Sequence, residues 1–225
     1  MAVKNENETF ATTLNAKLEK SKGVVFAITA IVLVVIVAVV VFAILKSQTI
    51  EKGIAQFESI SYSLTNDSAD LSAEDITARQ NKALEDLASL SEKKGAVGLR
   101  ANMLIAEIKF AQKNYAEARE AWLKAVEAKS NNYTTSQCYY NAAVCSEELG
   151  DADSAISYYK SASEDEDFLL IDHALFSLGR VNETSRKYDD AKAAYEKLFD
   201  LHSSSSWGEL AKSRLIALKA TGLIQ

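Results

Sequence analysis

Residues 114–128, 149–162 and 187–199 read NYAEAREAWLKAVEA, LGDADSAISYYKSA and KYDDAKAAYEKLF. Each opens on a polar turn and then sets a small residue one helical turn ahead of a bulky one: Ala118 before Trp122, Ala155 before Tyr159, Ala191 before Tyr195. An earlier stretch follows the same rule with Ala83, Leu87 and Leu90, and the four alanines are spaced 35, 37 and 36 residues apart. A fixed period of this size marks stacked helical hairpins, each burying its apolar face only against its neighbours. The small residue lets a paired helix come close, and the aromatic one turn later fills the space beside it.

The helices that precede these stretches share a pattern of their own. Segments 102–110 (NMLIAEIKF), 139–147 (YYNAAVCSE) and 175–183 (LFSLGRVNE) place Ile105-Ala106, Ala142-Ala143 and Leu178-Gly179 where a partner helix must approach. Lys113-Asn114-Tyr115, Gly150-Asp151 and Arg186-Lys187-Tyr188 then supply short turns. Residues 130–132, the acidic run 164–167 and residues 203–206 read as loops between repeats, and Trp207 to Leu218 as a lone closing helix that keeps the end of the array soluble. The chain has no proline and eight scattered glycines, which suits helices rather than sheets. An all-α chain is expected, with residues 95–205 forming three repeats and 206–225 a cap and tail.

These phrases resemble the tetratricopeptide repeat (TPR), whose implied fold is an α-solenoid and whose implied role is protein–protein interaction. The proline usual at repeat ends is absent, with SNN, EDED and SSSS in its place.

Upstream, residues 24–45 (VVFAITAIVLVVIVAVVVFAIL) carry no charge, and Thr29 is their one polar side chain. Twenty-two residues at ~1.5 Å each reach ~33 Å, enough for a hydrocarbon core of ~30 Å. No A-x-A cleavage signal follows, so a retained transmembrane helix is expected rather than a signal peptide. Lys17, Lys20 and Lys22 flank one end and Lys46 and Lys52 the other, which favours a cytoplasmic segment 1–23 by the positive-inside rule. Residues 46–94 are expected to form a connector helix pair, a divergent first repeat; Ser72 to Asp75 supplies its helix-start signal.

Taken together, the lysine-flanked N-terminus, the single span, the connector pair and the short TPR array resemble the YfgM-type family of bacterial inner-membrane proteins. That resemblance implies a TPR domain in the periplasm, association with the SecYEG translocon and periplasmic chaperones, and assistance to protein secretion. The terminal SSSSWGELAKSRLIAL also resembles the closing motif of envelope TPR proteins related to BamD and CpoB. Two alternatives share the architecture: a cytosol-facing TPR receptor of the protein-import type, and a general cell-envelope assembly scaffold.

The chemistry-bearing residues point away from catalysis. Neither His173 nor His202 has metal-ligand spacing to a cysteine or carboxylate except for Asp172 beside His173, which falls on another helix face, and the 164–167 acidic run lacks the alternation and turn glycine of a calcium loop. Ser203 to Ser206 have no paired base, and no glycine-rich phosphate loop occurs. The net charge of −6 argues against nucleic acid as a partner. Cys138 and Cys145, ~10 Å apart along one helix, cannot form a disulfide and are expected to be buried thiols. No enzyme activity, metal or cofactor is expected.

In a TPR array the first helices line the inner surface. The residues expected on it here are Met103, Glu107 and Phe110, then Tyr140, Val144 and Glu147, then His173, Phe176, Arg180 and Glu183. Their mixture of methionine, aromatics and charges suits an extended or helical protein segment. The opposing expectation is that the cap or connector packs on these side chains and makes them core. One cytosolic mode, a Lys/Asn clamp on a C-terminal carboxylate, keeps Asn141 alone of its residues.

Overall fold

A computed structural model of the protein describes residues 12–17, 19, 21–66, 71–128 and 132–225. Among these every regular element is α-helical: residues 12–17, then α1 Lys22–Thr65, α2 Ala73–Ser91, α3 Ala96–Ala111, α4 Tyr115–Glu127, α5 Asn132–Glu148, α6 Ala152–Ala162, α7 Ile171–Thr184, α8 Tyr188–Leu201 and α9 Ser206–Ala220. Lys20, most of the inter-repeat loop 130–132 and much of segment 1–23 lie outside the described residues.

Two compact units divide the chain, residues 1–52 and 53–225. In the first, α1 is long and apolar enough to cross a membrane. The apolar run does not end a helix at Leu45, because α1 continues without interruption to Thr65. Nothing between Lys46 and Thr65 breaks a helix, so the connector's first arm and the apolar segment are one element.

In the second unit, consecutive helices from α2 to α9 pack against one another, and α9 also meets α7. Ser72 caps α2, Asp151 caps α6 and Ser205 caps α9, each accepting a backbone N–H at 3.1, 3.2 and 3.0 Å. The hairpins turn by one repeated device. Lys113, Gly150 and Arg186 adopt positive φ of 61°, 72° and 59°. At each, the following N–H reaches back five residues, to the carbonyls of Lys109, Ser146 and Asn182 at 2.8, 2.9 and 2.8 Å. This is the Schellman ending, which satisfies carbonyls the helix leaves unpaired. Because it recurs three times in register, it fixes how the last turn of α3, α5 and α7 points.

The core follows the small-then-bulky rule. Ala118, Ala155 and Ala191 are fully buried, as are Tyr195 and nearly Trp122 and Tyr159. Phe57 and Ile60 of α1 join Leu87, Leu90, Val97 and Ala101 in a cluster that closes the first end. At the other, Leu218 and Ile224 pack with Leu175, Tyr195 and Ala211. Cys138 and Cys145 are free and buried in α5.

Candidate protein-interaction face

The Schellman turns give α3, α5 and α7 a common register. Three residues before each positive-φ residue stand Phe110, Glu147 and Glu183; six before stand Glu107, Val144 and Arg180. On the second helix of each hairpin, Trp122, Tyr159 and Tyr195 occupy one shared position.

At the junction of α5, α6 and α7 these positions make a polar lock. Tyr159 Oη donates to Glu147 at 2.6 Å, and Arg180 Nη2 donates to both oxygens of the same carboxylate at 2.7 Å. The lock repeats one hairpin on, where Tyr195 donates to Glu183 at 3.1 Å and Arg214 of α9 pairs with that carboxylate. Burial, reinforced by the glutamate, pushes both tyrosine hydroxyls well above the usual phenol range. Each lock is neutral in sum, and its two charges are spent on each other.

The junction of α3, α4 and α5 breaks the pattern. Its three positions hold Trp122, Phe110 and Val144, which can form no such network. A hollow of about 450 Å³ opens there instead, lined by Glu107, Phe110, Trp122, Tyr140, Asn141 and Val144. Among the described residues no cation lies within ion-pair distance of Glu107, and burial raises its carboxyl above the ordinary range.

The residues expected on the inner face therefore separate into three groups. Glu107, Phe110, Tyr140 and Val144 are brought together around the hollow. Glu147, Arg180 and Glu183 are engaged in the locks. His173 and Phe176 pack on Trp207 of the closing helix, with ring centroids 4.5 and 5.1 Å apart. Met103, half-buried, packs on the core around Trp122 and Cys138. Trp122 and Asn141 belong to the hollow but were not among the expected face residues, and Arg214 was missed altogether. Superposing the repeats on their turns would have found Trp122, since its column carries a tyrosine in the other two. His202 pairs with Asp172, which also accepts from Ser205 at 2.9 Å.

Residues 99–164 and 147–206 each match a family model described as tetratricopeptide repeat. A TPR repeat-containing protein of Treponema pallidum is 33% identical over 139 residues, which is 62% of this chain and 58% of that protein. Response regulator aspartate phosphatase J of Bacillus subtilis is 34% identical over 90 residues, 37% of this chain and 24% of its own. The chain thus spans less than two thirds of the first relative and about a quarter of the second. Among solved structures, the apo form of RapI superposes with a TM-score of 0.55 at 19% identity, covering 76% of this chain and 48% of that one. That last likeness is one of fold.

Proposed function

Because residues 99–206 are tetratricopeptide repeats, a scaffold for protein–protein interaction, we propose that the chain is a membrane-anchored interaction module that holds partner proteins on the inner face of its first helices. The observation that carries this reading is the hollow at Glu107, Phe110, Tyr140 and Val144, where apolar surface lies beside a carboxylate with no ion-pair partner among the described residues. Concave, mostly apolar sites with a few placed polar groups are where proteins bind their ligands. The apolar stretch of α1 supports a single span through Val24–Leu45, and Lys17 and Lys22 support a cytoplasmic N-terminus with residues 46–225 in the periplasm.

Our finer reading is that of a YfgM-type ancillary or chaperone-like component of the bacterial inner membrane, working beside SecYEG and periplasmic chaperones. Its support is the layout of anchor, connector and short array, and the scaffold itself serves many partners. A phosphatase reporter fused after Gln225 should be active and a fluorescent cytoplasmic reporter at the same place dark. The reverse pattern would turn the domain to the cytosol and end the translocon reading. Co-purification with SecYEG from gently solubilised membranes should be lost when residues 53–225 are deleted; its persistence would assign the association to the anchor alone.

A further inference from the structure

Three junctions of this array share one register, and two of them are closed by the same Tyr–Glu–Arg lock. The locked junctions have little to offer a partner. Their carboxylates are already bonded to a guanidinium and a phenol, and breaking those bonds would leave half-buried charges unpaired. In the first junction the three lock positions hold apolar side chains, Trp122 for tyrosine, Phe110 for glutamate and the much shorter Val144 for arginine, and the space the guanidinium would cross stays open.

The same position that carries Arg180 in the third repeat carries Glu107 in the first. Arg180 finds its carboxylate across the junction, whereas Glu107 faces no cation among the described residues. It stands on the rim shared by the hollow and by a second depression lined by Leu104, Ile108 and Leu64. A carboxylate partly withdrawn from water beside apolar walls is stabilised by an incoming cation, which also makes it discriminate by charge.

Resting on the reading that the inner face holds proteins, we infer that the α3–α5 junction is the anchor point, taking a partner segment that seats a bulky aliphatic or aromatic side chain among Phe110, Trp122 and Val144 and sets an adjacent Lys or Arg against Glu107. The charge complementarity commits the occupant to a basic-apolar peptide segment. A segment with an acidic residue at that place would meet Glu107 and be rejected.

Full-length protein in phosphatidylcholine nanodiscs tests this with three fluorescein-labelled dodecapeptides of Gly/Ser background carrying Lys-Leu-Phe, Glu-Leu-Phe or Lys-Ser-Ser at their centre, each corrected for binding to empty nanodiscs. The first should bind about tenfold or more tightly than either of the others, one favourable charge pair and one buried side chain each being of that order. Glu107→Gln should bring the Lys and Glu peptides within about twofold of each other while keeping the preference for Leu-Phe. The triple variant Phe110→Glu, Trp122→Tyr, Val144→Arg installs the lock found at the other junctions; it should keep its helical spectrum and thermal midpoint yet lose binding. A lock-bearing variant that binds like the parent, or a charge preference indifferent to Glu107→Gln, would overturn the inference. So would failure of the Lys-Leu-Phe peptide to bind the parent chain. In that last event, photo-crosslinks from Tyr140 to membrane partners would still uphold the inner-face reading, and silence at Tyr140 would remove both.

Discussion

Gly179→Ala should destabilise this protein, although glycine-to-alanine within a helix ordinarily does the opposite. Gly179 is buried in α7, where Ala106 and Ala143 stand in the other two hairpins. A Cβ built at Gly179 falls 2.4 Å from Tyr195 Cε1, 2.6 Å from Cδ1 and 2.8 Å from Cζ, all well inside van der Waals contact. The ring cannot yield cheaply. It is fully buried, its hydroxyl is held by Glu183 at 3.1 Å, and Phe176 lies against it with centroids 5.5 Å apart. Alanine gains about 1 kcal/mol of helix propensity, whereas overpacking a filled core costs about 1–3 kcal/mol. Loosening the Tyr195 hydrogen bond adds about 1 kcal/mol to that cost. The net loss is therefore about 1–3 kcal/mol, a fall in thermal midpoint of roughly 3–9 °C for a unit of this size. Circular dichroism of the full chain in detergent would measure it. In a Tyr195→Leu background the same Gly179→Ala change should cost nothing and reveal the propensity gain. A higher midpoint for Gly179→Ala in the parent chain would refute the close approach of α7 and α8 that organises the repeat.

Three further outcomes follow from buried groups. Ala118→Trp and Ala155→Trp, each at a fully buried site, should overpack their hairpins and cost about 1–3 kcal/mol in urea titrations followed by helical signal; an unchanged urea midpoint would contradict the placement. The Tyr159 and Tyr195 hydroxyls are raised in the folded chain, chiefly by burial, so the stability they contribute is complete below the unfolded pKa of about 10. It should be lost as pH climbs above that value, and the double variant Tyr159→Phe, Tyr195→Phe should show a flatter alkaline limb; identical limbs would contradict it. Burial pushes the Cys138 thiol up to about 12 and the Cys145 thiol to about 11, so iodoacetamide at pH 8 should label neither until the chain unfolds, and rapid native labelling would overturn their placement.

The repeat was legible because its signals are local. A small residue four before an aromatic, a polar turn and a capping serine each act within a few residues, and their period did the rest. Lys113, Gly150 and Arg186 mark the turns, yet only Gly150 announces a left-handed residue; the structure shows that Lys113 and Arg186 adopt the same conformation under the Schellman hydrogen bonds. Residues 24–45 and 46–65 differ sharply in composition, yet α1 runs through both, because the lone Gly53 weakens a helix without ending it.

The inner face was legible only as a column of residues. Whether Glu147 or Glu107 is available depends on residues distant in sequence: Arg180, thirty-three positions on, reaches the first, and among the described residues no cation reaches the second. Likewise, Trp207 was read as part of a cap, and its packing on His173 and Phe176 depends on where α9 docks. Pairings at this range appear in sequence only when the repeats are laid over one another at their turns, where Trp122, Phe110 and Val144 stand out against Tyr, Glu and Arg.

Site-specific photo-crosslinking in intact cells bears most directly on the proposal that this solenoid holds proteins on its first helices. Probes replacing Tyr140 and Val144 would sit at the hollow, and probes replacing the exposed Lys124 and Ser157 would sit on the second helices α4 and α6. Adducts to partner proteins at Tyr140 and Val144, with Lys124 and Ser157 silent, are the expected result. Adducts confined to Lys124 and Ser157 would place the binding surface on the opposite side of the array.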